Sequence, residues 1–261
     1  MPGRSLQWAT RRAFVRPVAL RLTNRTQRGR MKISIQSLLE GARNATGAVA
    51  VIDTFRAFTT AAVALANGAS RIIMVGTVED ALALRAAESG AICMGEVRGQ
   101  APDTFDYGNS PFEIATVDLG GKTIIQRTSA GTQGIVAASA RADRLYAASL
   151  VTAEATVRAL LSGSPGEITI VPMGDNGTTR ADEDELCAIH LRNRLEGRPG
   201  DEEAVRRVIL AGGEVLRFYD SARPGHRPED VGIALDIDRY DFAIRVNCEH
   251  RRPVARMERP A

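Results

Sequence analysis

The sequence predicts an α/β fold with three α/β/α layers and a mainly parallel sheet built from βαβ units. The first observation is that short β-branched runs alternate with helical stretches along the chain. The second is the placement of turn signals, since Asn67-Gly68 ends the first helical stretch with residues suited to the left-handed conformation. Together they favour right-handed crossovers, with helices on both faces of the sheet.

Each element follows from a local pattern. The predicted strands lie at residues 48–52, 71–75, 91–94, 122–126, 145–147 and 168–171. The predicted helices lie at about 56–66, 77–89, 152–161 and 182–195, with a further helix of small residues after 128–132. Thr77 is suited to cap its helix, because Asp80 follows at the third helical position. After Gly197 the pattern weakens, and we expect a terminal strand near 242–246 to pair at a sheet edge.

Residues 1–30 differ in charge from the rest of the chain. They hold eight arginines and no acid, and subtracting these eight from the formal net charge of +3 leaves residues 31–261 at about −5. We expect residues 1–30 to be a disordered basic leader or a misassigned start, and residues 31–261 to form the α/β domain. From about residue 200 onward, the chain forms either a small C-terminal subdomain or the last elements of the same fold.

Composition excludes several classes of protein. The mildly acidic charge of residues 31–261 argues against a nucleic-acid-binding surface spread over the fold, although a basic arm in residues 1–30 is a weaker competing interpretation. No apolar run of about 18 residues occurs, so no segment is expected to span a membrane. Cys93, Cys187 and Cys248 are far apart and form no CxxC motif, which indicates a reducing cytoplasm rather than a disulfide framework or a zinc site.

Polar side chains follow the predicted strands, at the ends where open α/β sheets bind ligands. These residues are Asp53, Arg56, Glu96, Arg98, Arg127, Thr128, Ser129, Asp175, Asn176, Asp182, Glu183 and Asp184. We expect them to converge on one edge of the sheet. The hard carboxylate oxygens of Asp53, Glu96 and one of the later acids are suited to Mg²⁺. Arg56 and Arg127 are suited to a phosphate or another oxyanion.

The helix start at Ser129, Gly131 and Thr132 offers backbone N–H groups and a helix dipole to an anion.

Structural roles compete with such interpretations. Asp53 is also placed to cap the helix that follows it. Ser110 begins a capping box, so a cap and a ligand contact are equally good interpretations of this residue. Acids such as those at 182–184 are common in a first helical turn.

Longer motifs occur in one collinear order between residue 31 and about residue 258. They are the runs Val51 to Thr60, Gly95-Glu96, Phe105 to Pro111, Arg127 to Thr132, Glu183 to Ala188, Pro228 to Val231 and Asp238 to Phe242. Single pieces are weak signals, but the ordered set is specific. As a set, they resemble the motifs of the 2-phosphosulfolactate phosphatase family.

This resemblance implies an α/β/α fold, a homodimer, and Mg²⁺-dependent hydrolysis of 2-phosphosulfolactate to sulfolactate and phosphate, a step of coenzyme M biosynthesis. Carried over by position, it places nine residues at the site: Asp53, Arg56, Glu96, Asn109, Ser110, Ser129, Gly131, Thr132 and Asp184. Assigning roles by chemistry, we expect catalysis by Asp53, Glu96 and Arg56, and Mg²⁺ binding by Asp53, Glu96 and Asp184. The expected binding residues for the small anionic phosphate ester are Arg56, Thr59, Thr60, Asn109, Ser110, Arg127, Thr128, Ser129, Gly131 and Thr132.

The sequence departs from the family pattern near these residues. Ala130 stands where the family usually has asparagine, and Ser129 stands where it has threonine. The lost asparagine removes both a donor and an acceptor from the predicted anion loop. Two alternatives therefore stay open: a phosphatase for another small phosphorylated carboxylic acid, and a non-catalytic anion-binding protein on the same fold. The clustered carboxylates count against the second.

Overall fold

The computed structural model describes residues 31–223 and 225–260. The basic leader expected at residues 1–30 lies outside the described residues. The strands are β1 Lys32–Ile35, β2 Gly47–Ile52, β3 Arg71–Val75, β4 Ile92–Gly95, β5 Thr123–Arg127, β6 Ala142–Ala148, β7 Glu167–Pro172, β8 Ala243–Glu249 and β9 Arg252–Glu258. The α-helices are α1 Leu38–Asn44, α2 Ala57–Ala66, α3 Val78–Ala87, α4 Pro111–Ile114, α5 Gly131–Ala138, α6 Ala153–Leu161, α7 Asp182–Leu195, α8 Glu202–Ala211 and α9 Pro228–Ala234. Two 3₁₀ helices are Leu150–Thr152 and Glu214–Phe218.

The strands form one nine-stranded sheet in the order β1-β7-β2-β6-β8-β9-β3-β5-β4. Strands β1, β7, β2 and β6 pair in parallel and form what we call the first block. Strands β3, β5 and β4 also pair in parallel and form the second block. The antiparallel hairpin β8–β9 joins the blocks, because β8 pairs with β6 and β9 pairs with β3. The predicted α/β class with a mainly parallel sheet is therefore confirmed, and the antiparallel pairing between the named strands of the described residues lies in this central region.

The terminal strand near 242–246 exists as β8, but its prediction as an edge strand is wrong. It lies inside the sheet because β9 follows after a turn at His250 and Arg251, both with positive φ, and pairs along its other side. Strand β9 starts with Arg252-Pro253. Because proline is depleted in strands, the sequence does not indicate a strand at this position. The last strands of the chain are therefore the central strands of the sheet.

Successive side chains of β2 point to opposite faces of the sheet, which explains why helices cover both faces. Val49 and Val51 point into a core that also contains Phe58 of α2 and Ile135 of α5. The intervening residues, such as Ala50, point to the opposite face, where they pack in a second core with α6 and α7. This period of two is the one that a strand buried on both faces requires. The result is the expected order of helix, sheet and helix.

The helices of the described chain are short. The longest, α7, has 14 residues, and within residues 31–223 and 225–260 no helix has the length and apolar character needed to cross a bilayer.

The cysteines are free thiols: Cys93 and Cys187 are buried, and Cys248 is exposed.

The two parallel blocks run in opposite directions, since three successive antiparallel pairings separate β6 from β3. Their carboxyl ends nevertheless meet, because the backbone N–H of Gly131 after β5 donates to Asp53 after β2 at 2.8 Å. Strand twist of roughly 20–25° per step amounts to about 100–125° over the five steps from β2 to β5. The predicted site residues thus converge, but they come from two opposed blocks rather than from one edge of a single parallel sheet.

We predict that Phe58→Ala lowers the free energy of unfolding by about 3–5 kcal/mol, because Phe58 is fully buried between the blocks and its removal leaves a cavity. Phe112→Ala is the matched control, since the Phe112 side chain is 43% exposed and its loss is expected to change stability by about 0.5 kcal/mol or less. Urea unfolding of both variants measures the difference. Equal losses would contradict the packing described for α2.

Candidate active site

A small cleft of about 60 Å³ opens where the carboxyl ends of the two blocks meet. Its lining comes from the segments after β2, β4, β5 and β7, and from residues that follow α8. The lining residues are Asp53, Phe55, Arg56, Glu96, Gly99, Asn109, Ser129, Ala130, Gly174, Asp175, Asn176, Arg217 and His226. Seven residues selected from the sequence therefore face this cleft: Asp53, Arg56, Glu96, Asn109, Ser129, Asp175 and Asn176.

Asp53 is held between the N-termini of two helices. One carboxylate oxygen accepts from the backbone N–H of Ala57 in α2 at 2.9 Å, and the other accepts from Gly131 in α5 at 2.8 Å. Asp53 therefore combines the capping contact considered for it with a place on the cleft. Burial raises the pKa of Asp53 to about 7, and the nearby Asp184 and Glu96 add to the rise, although the two backbone donors oppose it. The carboxyl group is thus poised to exchange a proton near neutral pH.

Glu96 is fixed in the same way on the other side of the cleft. Its Oε1 accepts from the backbone N–H of Ser129 at 2.5 Å, and its Oε2 accepts from Gly99 at 2.5 Å. The preceding residue has to be glycine, because a Cβ on Gly95 would lie 1.9 Å from the backbone oxygen of Arg127. Close approach of β4 and β5 therefore brings Glu96 against the start of α5.

The segment 128–132 uses its backbone donors within the protein. Ser129 donates to Glu96, Gly131 donates to Asp53, and Thr132 donates to the hydroxyl of Thr128 at 3.0 Å. The N-terminus of α5, predicted to receive a ligand anion, thus receives two of the protein's own carboxylates. It presents Asp53 and Glu96 to the cleft in fixed orientations.

Arg56 lines the cleft and is supported from behind by the C-terminal part of the chain. Its Nη1 donates to Asp230 at 2.7 Å and to the backbone oxygen of Gly225 at 2.5 Å, and its guanidinium lies 5.5 Å from the ring centroid of Phe218. Asp230 also accepts from the hydroxyl of Ser110 at 2.5 Å. This arrangement fixes the direction in which the arginine faces the cleft.

Several predicted binding residues lie behind the cleft rather than on its lining. They are Thr59, Thr60, Ser110, Arg127, Thr128, Gly131 and Thr132. The hydroxyl of Thr60 donates to the backbone oxygen of Asn109 at 3.1 Å, and Arg127 donates to that of Glu96 at 2.7 Å. Ser110 accepts from the backbone N–H of Glu113, the cap contact that its motif predicts. These residues support the segments that form the cleft.

Asp184 also lies behind the cleft. Its two oxygens accept from the backbone N–H groups of Thr54 at 2.7 Å and Gly174 at 2.9 Å, so it ties together the segments after β2 and β7. Burial raises its pKa to about 7, and the neighbouring Glu183 adds to the rise. Within residues 31–223 and 225–260, no group of three or more His, Cys, Asp or Glu side chains is placed to hold a metal ion. Asp53 and Glu96 are the predicted metal ligands that face the cleft.

Sequence reasoning did not select Arg217 and His226, which complete the lining. Arg217 pairs with Glu183 at 3.2 Å and with Glu214 at 2.8 Å. Burial lowers the pKa of His226 to about 4, and the charge of Arg56 acts in the same direction, so His226 is neutral at physiological pH. Neither residue follows a strand, so the rule that placed the other residues had no signal for these two.

Comparison with known proteins agrees with the resemblance seen in the motifs. Residues 33–244 match the family model described as 2-phosphosulpholactate phosphatase. The chain is similar to proteins named probable 2-phosphosulfolactate phosphatase in three bacteria, with 42% identity over 56% of this chain in Thermotoga petrophila, 35% over 72% in Deinococcus radiodurans and 30% over 78% in Bacillus subtilis. The alignments cover 61%, 80% and 88% of those proteins, so the chain spans about three fifths of the Thermotoga relative.

We predict that Gly131→Ala destabilises the protein by about 1–3 kcal/mol, because a Cβ there would lie 2.8 Å from Asp53 Oδ2 and 3.0 Å from Ala57 and Phe58 side-chain carbons. Gly166→Ala is the control, since nothing lies within 4 Å of its Cβ position and its φ is not positive. Urea unfolding compares the two variants. A neutral Gly131→Ala would show that the N-terminus of α5 does not enclose Asp53 as described.

A second prediction concerns pH. Asp53, Glu183 and Asp184 have pKa values raised to about 7, against ordinary values of 3.8 to 4.5 in an unfolded chain. The folded protein therefore retains protons that the unfolded chain has lost, and these groups make the free energy of unfolding fall as pH rises from about 4 to about 7. In EDTA, Asp184→Asn is expected to reduce this fall, measured by urea unfolding across the interval. The exposed Asp103→Asn is expected to follow the wild type; parallel curves for all three proteins would contradict the assignment.

Proposed function

Because the chain belongs to the 2-phosphosulpholactate phosphatase family, we propose that it hydrolyses a small phosphate monoester that carries a second acidic group. The first candidate substrate is 2-phosphosulfolactate, as the names of its relatives suggest. The observation that carries the proposal is the pair of buried carboxylates, Asp53 and Glu96, fixed by backbone N–H groups beside Arg56 in one cleft. Hydrolysis would release sulfolactate and phosphate.

The charge of the cleft supports Mg²⁺ as the cofactor. An anionic ester would be repelled by Asp53 and Glu96, and in a partly buried site this repulsion is several-fold stronger than in water. Mg²⁺ is commonly held by one or two carboxylates, with waters and substrate phosphate oxygens completing its shell. Asp53 and Glu96 fit that role, because both are oxygen donors, buried and turned to the cleft. When bound, Mg²⁺ would neutralise charge on the phosphoryl group.

The chain's own residues would then act as follows. Asp53 and Glu96 would hold the cation, and Asp184 positions the segments at Thr54 and Gly174 from behind. Arg56 would donate to phosphoryl oxygens from the wall of the cleft. Asp53, whose pKa burial raises to about 7, would hold a cation in its carboxylate form. Its role as nucleophile or as ligand is open, and trapping an aspartyl phosphate with borohydride would distinguish them.

Ala130 favours a second candidate substrate. It lines the cleft where the family usually has asparagine, so the cleft is wider and loses one hydrogen-bonding group at this position. Such a change alters the choice among small anions more readily than the reaction itself. Another small phosphorylated carboxylic acid is therefore the alternative substrate. We also propose a cytoplasmic homodimer that uses 2-phosphosulfolactate in coenzyme M biosynthesis, on the basis of the family resemblance.

We predict Mg²⁺-dependent release of phosphate from 2-phosphosulfolactate or from a member of a panel of phosphorylated carboxylic acids, with loss of activity in EDTA. Asp53→Asn is expected to lower kcat by about a hundredfold or more, because it removes the ionisable group at the centre of the cleft. Asp103→Asn, which removes an exposed carboxylate, is expected to retain wild-type activity. A phosphate-release assay measures all three proteins.

Failure of the folded wild-type protein to release phosphate from any of these esters would contradict the proposed reaction. Calorimetric titration with inorganic phosphate then separates the remaining possibilities. Binding without turnover would support a non-catalytic anion-binding protein on this fold.

A further inference from the structure

Asp230 is a fully buried carboxylate that lies next to the cleft but not on its lining. It belongs to α9, in the C-terminal part of the chain where the sequence pattern is weak. One of its oxygens accepts from Arg56 Nη1 at 2.7 Å. The other accepts from the hydroxyl of Ser110 at 2.5 Å and from the backbone N–H of Phe112 at 3.2 Å. Asp230 thus joins three segments that are far apart in the sequence.

Stability alone is a weak reason for such an arrangement. Burying a carboxylate and a guanidinium has a desolvation cost that their attraction commonly fails to exceed, and well-packed apolar residues are often as stable or more so. What the pair supplies is a fixed orientation of the Arg56 guanidinium. The Arg56 guanidinium is confined by Asp230, by the backbone oxygen of Gly225 and by the ring of Phe218, so little freedom remains to it.

The second oxygen of Asp230 acts on another part of the cleft. Ser110, its partner, directly follows Asn109, which lines the cleft and whose buried Oδ1 has no partner among the described residues. One carboxylate therefore contacts both Arg56 and the residue that follows Asn109.

We propose that Asp230 is a positioning residue for the reaction: it holds Arg56 in the orientation that binds the phosphoryl group. This inference rests on the proposed function. Asp230 acts through Arg56, so its removal should matter when Arg56 is present and matter little when Arg56 is absent. A residue that only stabilises the fold would not behave in this way.

The test is a double-mutant cycle of Asp230→Asn and Arg56→Ala, with kcat/KM for the preferred ester in Mg²⁺ as the readout. Asp230→Asn is expected to lower kcat/KM by about ten- to a hundredfold, because small misplacements of a binding group have effects of this size. In the Arg56→Ala background, the same substitution is expected to change kcat/KM by less than about threefold. Calorimetry with inorganic phosphate provides a second readout, in which Asp230→Asn weakens binding about tenfold.

Asp238→Asn is the matched control. Asp238 also pairs with an arginine, Arg194, at 2.7 Å and accepts from a backbone N–H, that of Glu154, at 2.6 Å, but it lies outside the cleft. Its replacement is expected to leave kcat/KM and phosphate binding unchanged. Urea unfolding of each variant separates loss of stability from loss of function.

Equal losses from Asp230→Asn with and without Arg56 would overturn the positioning role while leaving the proposed function intact. A wild-type protein that neither binds phosphate nor hydrolyses any ester would overturn both. If Asp230→Asn does not fold, Ser110→Ala in the same cycle takes its place, because it removes the donor that orients the other oxygen of Asp230. Its effect on kcat/KM is then expected to shrink in the Arg56→Ala background, and an undiminished effect would overturn the inference.

Discussion

The contact on which the cleft depends is the one that Asp53 makes with two helices from opposite halves of the sheet. Ala57 begins α2, which follows strand β2 of the first block, and Gly131 begins α5, which follows strand β5 of the second. A buried carboxylate has a large desolvation cost, and the two backbone donors with the positive ends of both helices offset part of it. The same carboxyl group therefore joins the two blocks and places an ionisable side chain in the cleft.

The N-terminus of α5 shows how a correct pattern can have an unexpected use. Segment 128–132 has the donors of an anion-binding loop, but they serve Glu96 and Asp53. A loop of this kind would hold phosphate directly in many α/β proteins. Here the protein's own carboxylates take that place, and among the lining residues Arg56 and Arg217 carry the positive charge that an anionic ligand would meet.

Local patterns predicted most elements of this fold, because alternation and caps are properties of neighbouring residues. Strand β3 and the cap at Thr77 agree with the sequence, as does the presence of Asp53 and Glu96 at strand ends. The sheet order and the central place of β8 could not be predicted, since both depend on pairing between distant segments. Arg217 and Asp230 were missed for the same reason, because tertiary packing rather than a position after a strand brings Arg217 to the cleft and Asp230 next to it.

The position of the β8–β9 hairpin has a consequence for how the chain acquires its structure. Among the described strands, the two blocks share no hydrogen-bonded ladder except through this hairpin, which ends at Glu258. During synthesis each block is complete long before the strands that join them leave the ribosome. Long-range pairing of this type is slow and leaves unpaired strand edges exposed. The nascent chain must therefore keep two open strand edges from pairing wrongly until residues 243–258 have been synthesised.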